Sequence, residues 1–198
     1  REVGMCPLEA HALPSALLHA PDGSLLDLPL IGASPDGAVH WPDGSVEAVE
    51  VKNHAPFREG GSTRKSKHRS KFYLHDPGPW ATVAPWHVIQ IQLEILCLGP
   101  QCRAANFMSC SATRGINVLR VPRDDAYIAR MLHLIHVFQQ KYVRANVPPP
   151  PNFAAEFPDY LQFLEATKRV AATAKLVTVI PPQRVQRSPL NRHFFLDK

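Results

Sequence analysis

The sequence predicts a mixed α/β or α+β domain, a central β-sheet flanked by helices. Two observations carry that expectation. Strand-like runs crowd residues 25–52 and 103–121, and two helical patterns stand between and after them: an apolar one over Pro85–Leu98, and an amphipathic one from Asp124 or Asp125 to Arg144. No internal repeat is visible, and a chain of 198 residues with 45% apolar side chains has the material for one core.

Taken in order, Arg1–Met5 reads as an edge strand. Ala20-Pro21-Asp22-Gly23-Ser24 is a turn signal, and Leu25–Leu30 resumes an apolar run that feeds Ile31-Gly32-Ala33. Ser34-Pro35-Asp36-Gly37 then breaks the strand. Pro35 fixes its own φ and holds Ser34 extended, and Gly37 turns without a Cβ penalty, so Asp36 is presented at a rigid corner. Ala38–Trp41 and Ser45–Lys52 form a hairpin about Pro42-Asp43-Gly44. Alternation along its second strand places Val46, Ala48, Glu50 and Lys52 on one face and Glu47, Val49 and Val51 on the other. Phe57–Lys71 reads as a polar loop, and Asp76-Pro77-Gly78-Pro79-Trp80 as a second, turn-rich one.

In Pro85–Leu98, Pro85 suits a first helical turn and the apolar residues cover most of the circumference, as in a buried helix. Its polar stripe is His87, Gln90 and Glu94, with Gln92 on another side. Arg103–Cys110 and Ile116–Val121 follow as strands, then the long helix, which the prolines at 148–151 end. This gives a core over residues 1–145. Residues 146–198 hold eight of the twenty prolines and read as a Pro-rich linker, a short weak helix over Phe157–Lys175 and a tail.

Charge is unevenly distributed. Residues 1–57 carry eight acidic and two basic side chains, whereas residues 58–71 carry six basic and one acidic. A net charge of +5 with an acidic segment inside it points to a polyanionic partner met through a cation-filled site. The basic residues of the loop, Arg58, Arg64, Lys65, Lys67, Arg69 and Lys71, read equally as an arm contacting DNA phosphates and as a solvated charge run. Cys6, Cys97, Cys102 and Cys110 contain no Cys-x-x-Cys pair and read as reduced thiols of an intracellular protein. No run is long enough for a membrane span.

The chemistry gathers around Asp36 and Glu50-Val51-Lys52. Glu50 and Lys52 share a strand face about 6–7 Å apart, and antiparallel pairing brings Asp36 near them. Two carboxylates and the Val51 carbonyl are oxygen ligands of the kind a Mg²⁺ or Mn²⁺ ion takes. Lys52 can orient or deprotonate a water and offset developing negative charge. Gln90, on the stripe of the buried helix, can fix Lys52 or a metal-bound water. Taken singly, Asp-Gly is a turn and Glu-x-Lys a solvated strand face. In combination, each on a suitable element, they point to phosphodiester hydrolysis.

Gly32-Ala-Ser-Pro-Asp36-Gly37, Glu50-Val-Lys52 followed by Pro56-Phe57, and Gln90-Ile-Gln92 together resemble the lambda exonuclease / YqaJ viral recombinase branch of the PD-(D/E)xK nuclease superfamily, over roughly residues 28–145. The resemblance implies a restriction-endonuclease-like core and Mg²⁺- or Mn²⁺-dependent 5′-to-3′ degradation of duplex DNA in recombination or repair. It further implies a single-strand-annealing protein as partner and assembly as a homo-oligomer. By position it makes Asp36 and Glu50 metal ligands, Lys52 the catalytic lysine and Gln90 the supporting glutamine, with Ser34 shaping the turn and Gln92 in support. His54 stands where that family has a small residue or Cys, and the helical part that precedes this motif in the family would lie upstream of Arg1. A non-catalytic DNA-binding or recombination accessory domain, and a structure-specific endonuclease on the same core, are the alternative readings.

Overall fold

The computed structural model describes residues 4–9, 13–20, 22–59, 72–153 and 157–186. The chain opens with a two-stranded antiparallel pair, β1 (Cys6–Pro7) and β2 (Gly32–Ala33), linked by a loop that buries Leu13, Leu17 and Leu26. Of the strand expected over Arg1–Met5, residues 1–3 lie outside the described part, and Gly4 and Met5 precede β1 without belonging to a strand. Leu25–Leu30 is not a strand beyond a single bridge from Leu25 to His19. Pro29 in that run has no amide to give a ladder.

The body of the molecule is a five-stranded mixed sheet whose strands lie in the order Gly37–His40 (β3), Val46–His54 (β4), Cys102–Ser111 (β7), Gly115–Pro122 (β8) and Lys175–Ile180 (β9). β3 (Gly37–His40) and β4 (Val46–His54) form the expected hairpin, with Gly44 at φ +81° and the Asp43 carboxylate accepting from the Ser45 amide. β5 (Phe57–Glu59) and β6 (Phe72–Leu74) pair beside the sheet, so the start of the region read as a loop is a strand. Next comes α1 (Pro85–Cys97), ended by Gly99 at φ +97°, and it delivers the chain to β7 (Cys102–Ser111), parallel to β4. A parallel pair needs such a crossover, and a helix is its usual form. β8 (Gly115–Pro122) returns antiparallel, and α2 (Asp125–Phe138) starts at Asp124, whose carboxylate accepts from the Tyr127 amide. Wider helical turns carry α2 on through Gln139–Arg144.

The core forms between the sheet and the helices. Val88, Ile91 and Ile95 of α1 are fully buried, as are Ala48, Ala105 and Phe107 of the strands. Each large aliphatic side chain so buried contributes about 1.5–3 kcal/mol. α1 is less enclosed than its apolar run implies, since Trp86 and Ile89 reach solvent.

Residues beyond 145 depart most from the sequence reading. α3 (Pro158–Ala172) buries Phe163, Ala166, Val170 and Ala171 and packs on both α1 and α2. β9 (Lys175–Ile180), read as tail, is the fifth strand, antiparallel to β8, and α4 (Pro182–Gln186) follows it. The core therefore does not close at 145. Leu176-Val-Thr-Val-Ile180 carries the β-branched composition of a strand, and the surrounding prolines masked that signal. No described helix is long and apolar enough to cross a membrane.

Candidate active site

β3 stops at Gly37, opposite Val49. The Val51 amide on that edge is thereby left without a strand partner and open to a side-chain acceptor. Asp36 supplies it: its Oδ2 accepts from the Val51 N–H at 2.7 Å. Buried Pro35 anchors the corner while Asp36 itself stays exposed. In a strand the N–H and C=O of one residue point the same way, so the Val51 carbonyl lies on Asp36's side of β4.

Glu50 and Lys52 share the other expected relation. They point to the same face, where their side chains form an ion pair, the carboxylate 4% and the ammonium side chain 29% exposed. α1 closes over this face and delivers Gln90. The Gln90 Oε1 accepts from Lys52 Nζ at 3.2 Å, and its Nε2 donates to Glu50 Oε1 at 2.8 Å. The same Nε2 donates to Glu94 Oε1 at 2.8 Å, one helical turn on. Both amide hydrogens are thus committed, which fixes which way the amide faces.

Glu94 is 1% exposed, and its Oε2 finds no hydrogen-bond partner among the described residues. Burial, reinforced by the charge of Glu50, pushes its carboxyl up to about 8. A carboxyl there gains most by carrying a proton near neutrality.

A ring of aromatic and imidazole groups borders the network. His54, two residues past Lys52 and hence on the same strand face, meets the Trp80 ring edge-on at 4.1 Å. Its Nε2 shares a 2.6 Å hydrogen bond with Ser109 Oγ, which also accepts from the Trp80 amide at 2.8 Å. His87 lies 5.3 Å from Trp80 and 5.1 Å from Phe107. Burial first, then Lys52 and His54 nearby, lower its pKa.

Glu50, Lys52 and Gln90 are thus joined side chain to side chain, and Asp36 meets the same strand through the Val51 amide. Ser34 is exposed at the same corner. Gln92 is not part of the site. It is fully buried, donates to the Pro122 carbonyl at 2.8 Å and accepts from the Asp124 amide at 3.0 Å, so it ties α1 to the start of α2. Of the basic loop, Arg58 is exposed on β5, while Arg64, Lys65, Lys67, Arg69 and Lys71 lie outside the described residues. Strand alternation alone puts His54 on the face of Lys52, but no sequence motif signals its contacts with Ser109 and Trp80.

Two carboxylates and a strand carbonyl make an all-oxygen donor set that leaves positions for water, which suits a small hard divalent cation. Among the described residues no group of three or more His, Cys, Asp or Glu side chains is placed so as to hold a metal ion. All four cysteines are free thiols, and burial raises those of Cys97 and Cys102 to about 11. Comparison with family models, with characterised proteins and with solved structures gives no match.

Proposed function

We propose that this chain is a metal-dependent deoxyribonuclease, acting as an exonuclease that hydrolyses phosphodiester bonds. Its core would be the restriction-endonuclease-like one of the lambda exonuclease / YqaJ branch. One observation carries the reading: Glu50, Lys52 and Gln90 meet in one bonded side-chain network, and Asp36, distant in sequence, binds the backbone amide of Val51, the residue between Glu50 and Lys52.

Asp36, Glu50 and the Val51 carbonyl would hold a Mg²⁺ or Mn²⁺ ion. When bound, such an ion polarises the phosphate and makes a water more acidic. Lys52 does the rest of the local work. Its ammonium, partly open to solvent, can orient the attacking water and offset charge gathering on the phosphoryl oxygens. Gln90 restrains that ammonium by accepting from it, and holds Glu50 with the other end of the same amide.

End-labelled linear DNA and closed circular DNA, each with Mg²⁺ or EDTA, test the proposal. Mg²⁺-dependent loss of the linear substrate alone is the expected result. Cutting of circles points instead to an endonuclease. Binding without cutting, unchanged by Lys52→Ala, overturns the enzymatic reading in favour of an accessory DNA-binding role.

A further inference from the structure

We propose that Trp86 forms a stacking platform for one unpaired nucleobase at the rim of this site, so that the preferred substrate is a polynucleotide end with an unpaired nucleotide. The proposal rests on the nuclease reading and deepens it by naming the form of the substrate.

Trp86 is the second residue of α1 and is 71% exposed. The indole is not loose, because its Nε1 donates to His87 Nε2 at 3.1 Å. Rings continue inward from it: His87 lies 5.8 Å from the indole and 5.1 Å from buried Phe107, and Trp80 lies beside both. Trp86 and Gln90 are four residues apart on one helix face, about 6 Å along the axis. The exposed indole therefore sits one turn from the amide that holds Lys52 and Glu50.

Trp41 offers a contrast within the molecule. It too is exposed, but it lies at the hairpin tip at the far end of β4 from Lys52 and makes no ring contact among the described residues. Of the three tryptophans, all among the described residues, Trp86 alone combines exposure, a fixed ring and nearness to the bonded network.

A base within a duplex has both faces covered by its neighbours. An exposed indole can stack without prising base steps apart only on a base that is terminal, frayed or in a single strand. Stacking is indifferent to base identity, so the platform selects strand form and not sequence.

The test uses the full chain in EDTA, so that binding is read without cleavage. Duplexes carry a short overhang whose first nucleotide is either 2-aminopurine or abasic. Wild-type protein is expected to quench 2-aminopurine fluorescence and to bind this overhang ~10-fold more tightly than the abasic one. Trp86→Ala should erase the preference while leaving affinity for the abasic duplex unchanged, and Trp86→Phe should keep most of it. Equal wild-type affinity for the two overhangs, or failure to bind either, overturns the proposal without any variant. An equal loss on both duplexes in Trp86→Ala overturns it as well. Mg²⁺-dependent cleavage by the wild type, measured in parallel, separates this outcome from failure of the nuclease reading.

Discussion

Lys52 holds two acceptors, Glu50 and Gln90, at the edge of a nearly solvent-free carboxylate. On the nuclease reading, Lys52→Ala removes the group that orients water and offsets charge, and kcat should fall about 10²- to 10⁴-fold. Because Glu50 is then left buried without its cation, a thermal melt must accompany the assay. A kcat loss with an unchanged Tm supports the assigned role, whereas parallel losses mean that the fold has suffered instead. Glu94 is tested by pH. Its carboxyl titrates near 8 in the folded chain and near 4.5 when exposed, so the folded state holds the proton more tightly. Stability from this group is full below about 4.5, declines as pH rises, and is lost once pH passes about 8. In EDTA, the Tm of the wild type should therefore fall between pH 5 and 9. Glu94→Gln, which carries no titrating proton, should flatten that slope. An unchanged slope would mean that Glu94 is ionised in the fold.

Elements carry the next set of constraints. α1 serves two ends through two glutamines that differ only in which side of the helix they occupy: Gln90 reaches the site, and Gln92 locks the turn into α2. Gln-x-Gln in a sequence gives both residues equal standing, and only packing separates them. Gln92→Leu should cost stability, about 1–3 kcal/mol for the unpaired Asp124 amide and Pro122 carbonyl, with kcat altered far less than by Gln90→Ala. Urea unfolding beside kinetics reads the two effects apart. Gly115 is the other exacting position. It begins β8 at φ +91°, and a Cβ there would come within 2.2 Å of the Ile180 carbonyl oxygen. Gly115→Ala should destabilise by ~3 kcal/mol, through left-handed strain plus displacement of β9. A near-neutral urea midpoint would show that β9 is not held against β8 as described.

At the scale of the whole molecule, the hairpin, α1, β7, β8 and α2 were legible because each repeats its own period over many residues. Asp36, Glu50 and Lys52 were legible because turn chemistry and strand alternation fix their directions locally. β9 was not, since a six-residue strand has few periods to show and its pairing with β8 spans some sixty residues of sequence. α3 was read as weak because its buried side is narrow, Phe163, Ala166, Thr167 and Val170, and is completed only by the facing helices. Truncations follow from this. A chain ending at Gln186 keeps β9 and α4 and is the reference for the shorter ones. One ending at Ala174 loses β9, bares the β8 edge and should melt about 5–10 °C lower, as expected for a few kcal/mol in a chain of this size. One ending at Ala145 also uncovers the buried Tyr127, which stacks on Phe163 at 4.9 Å and bonds Thr167 at 3.1 Å. It should lose its cooperative transition altogether. If the 145-residue fragment instead melts cooperatively near the full-length Tm, residues 158–180 are an appendage, and the five-stranded sheet is not the unit that folds.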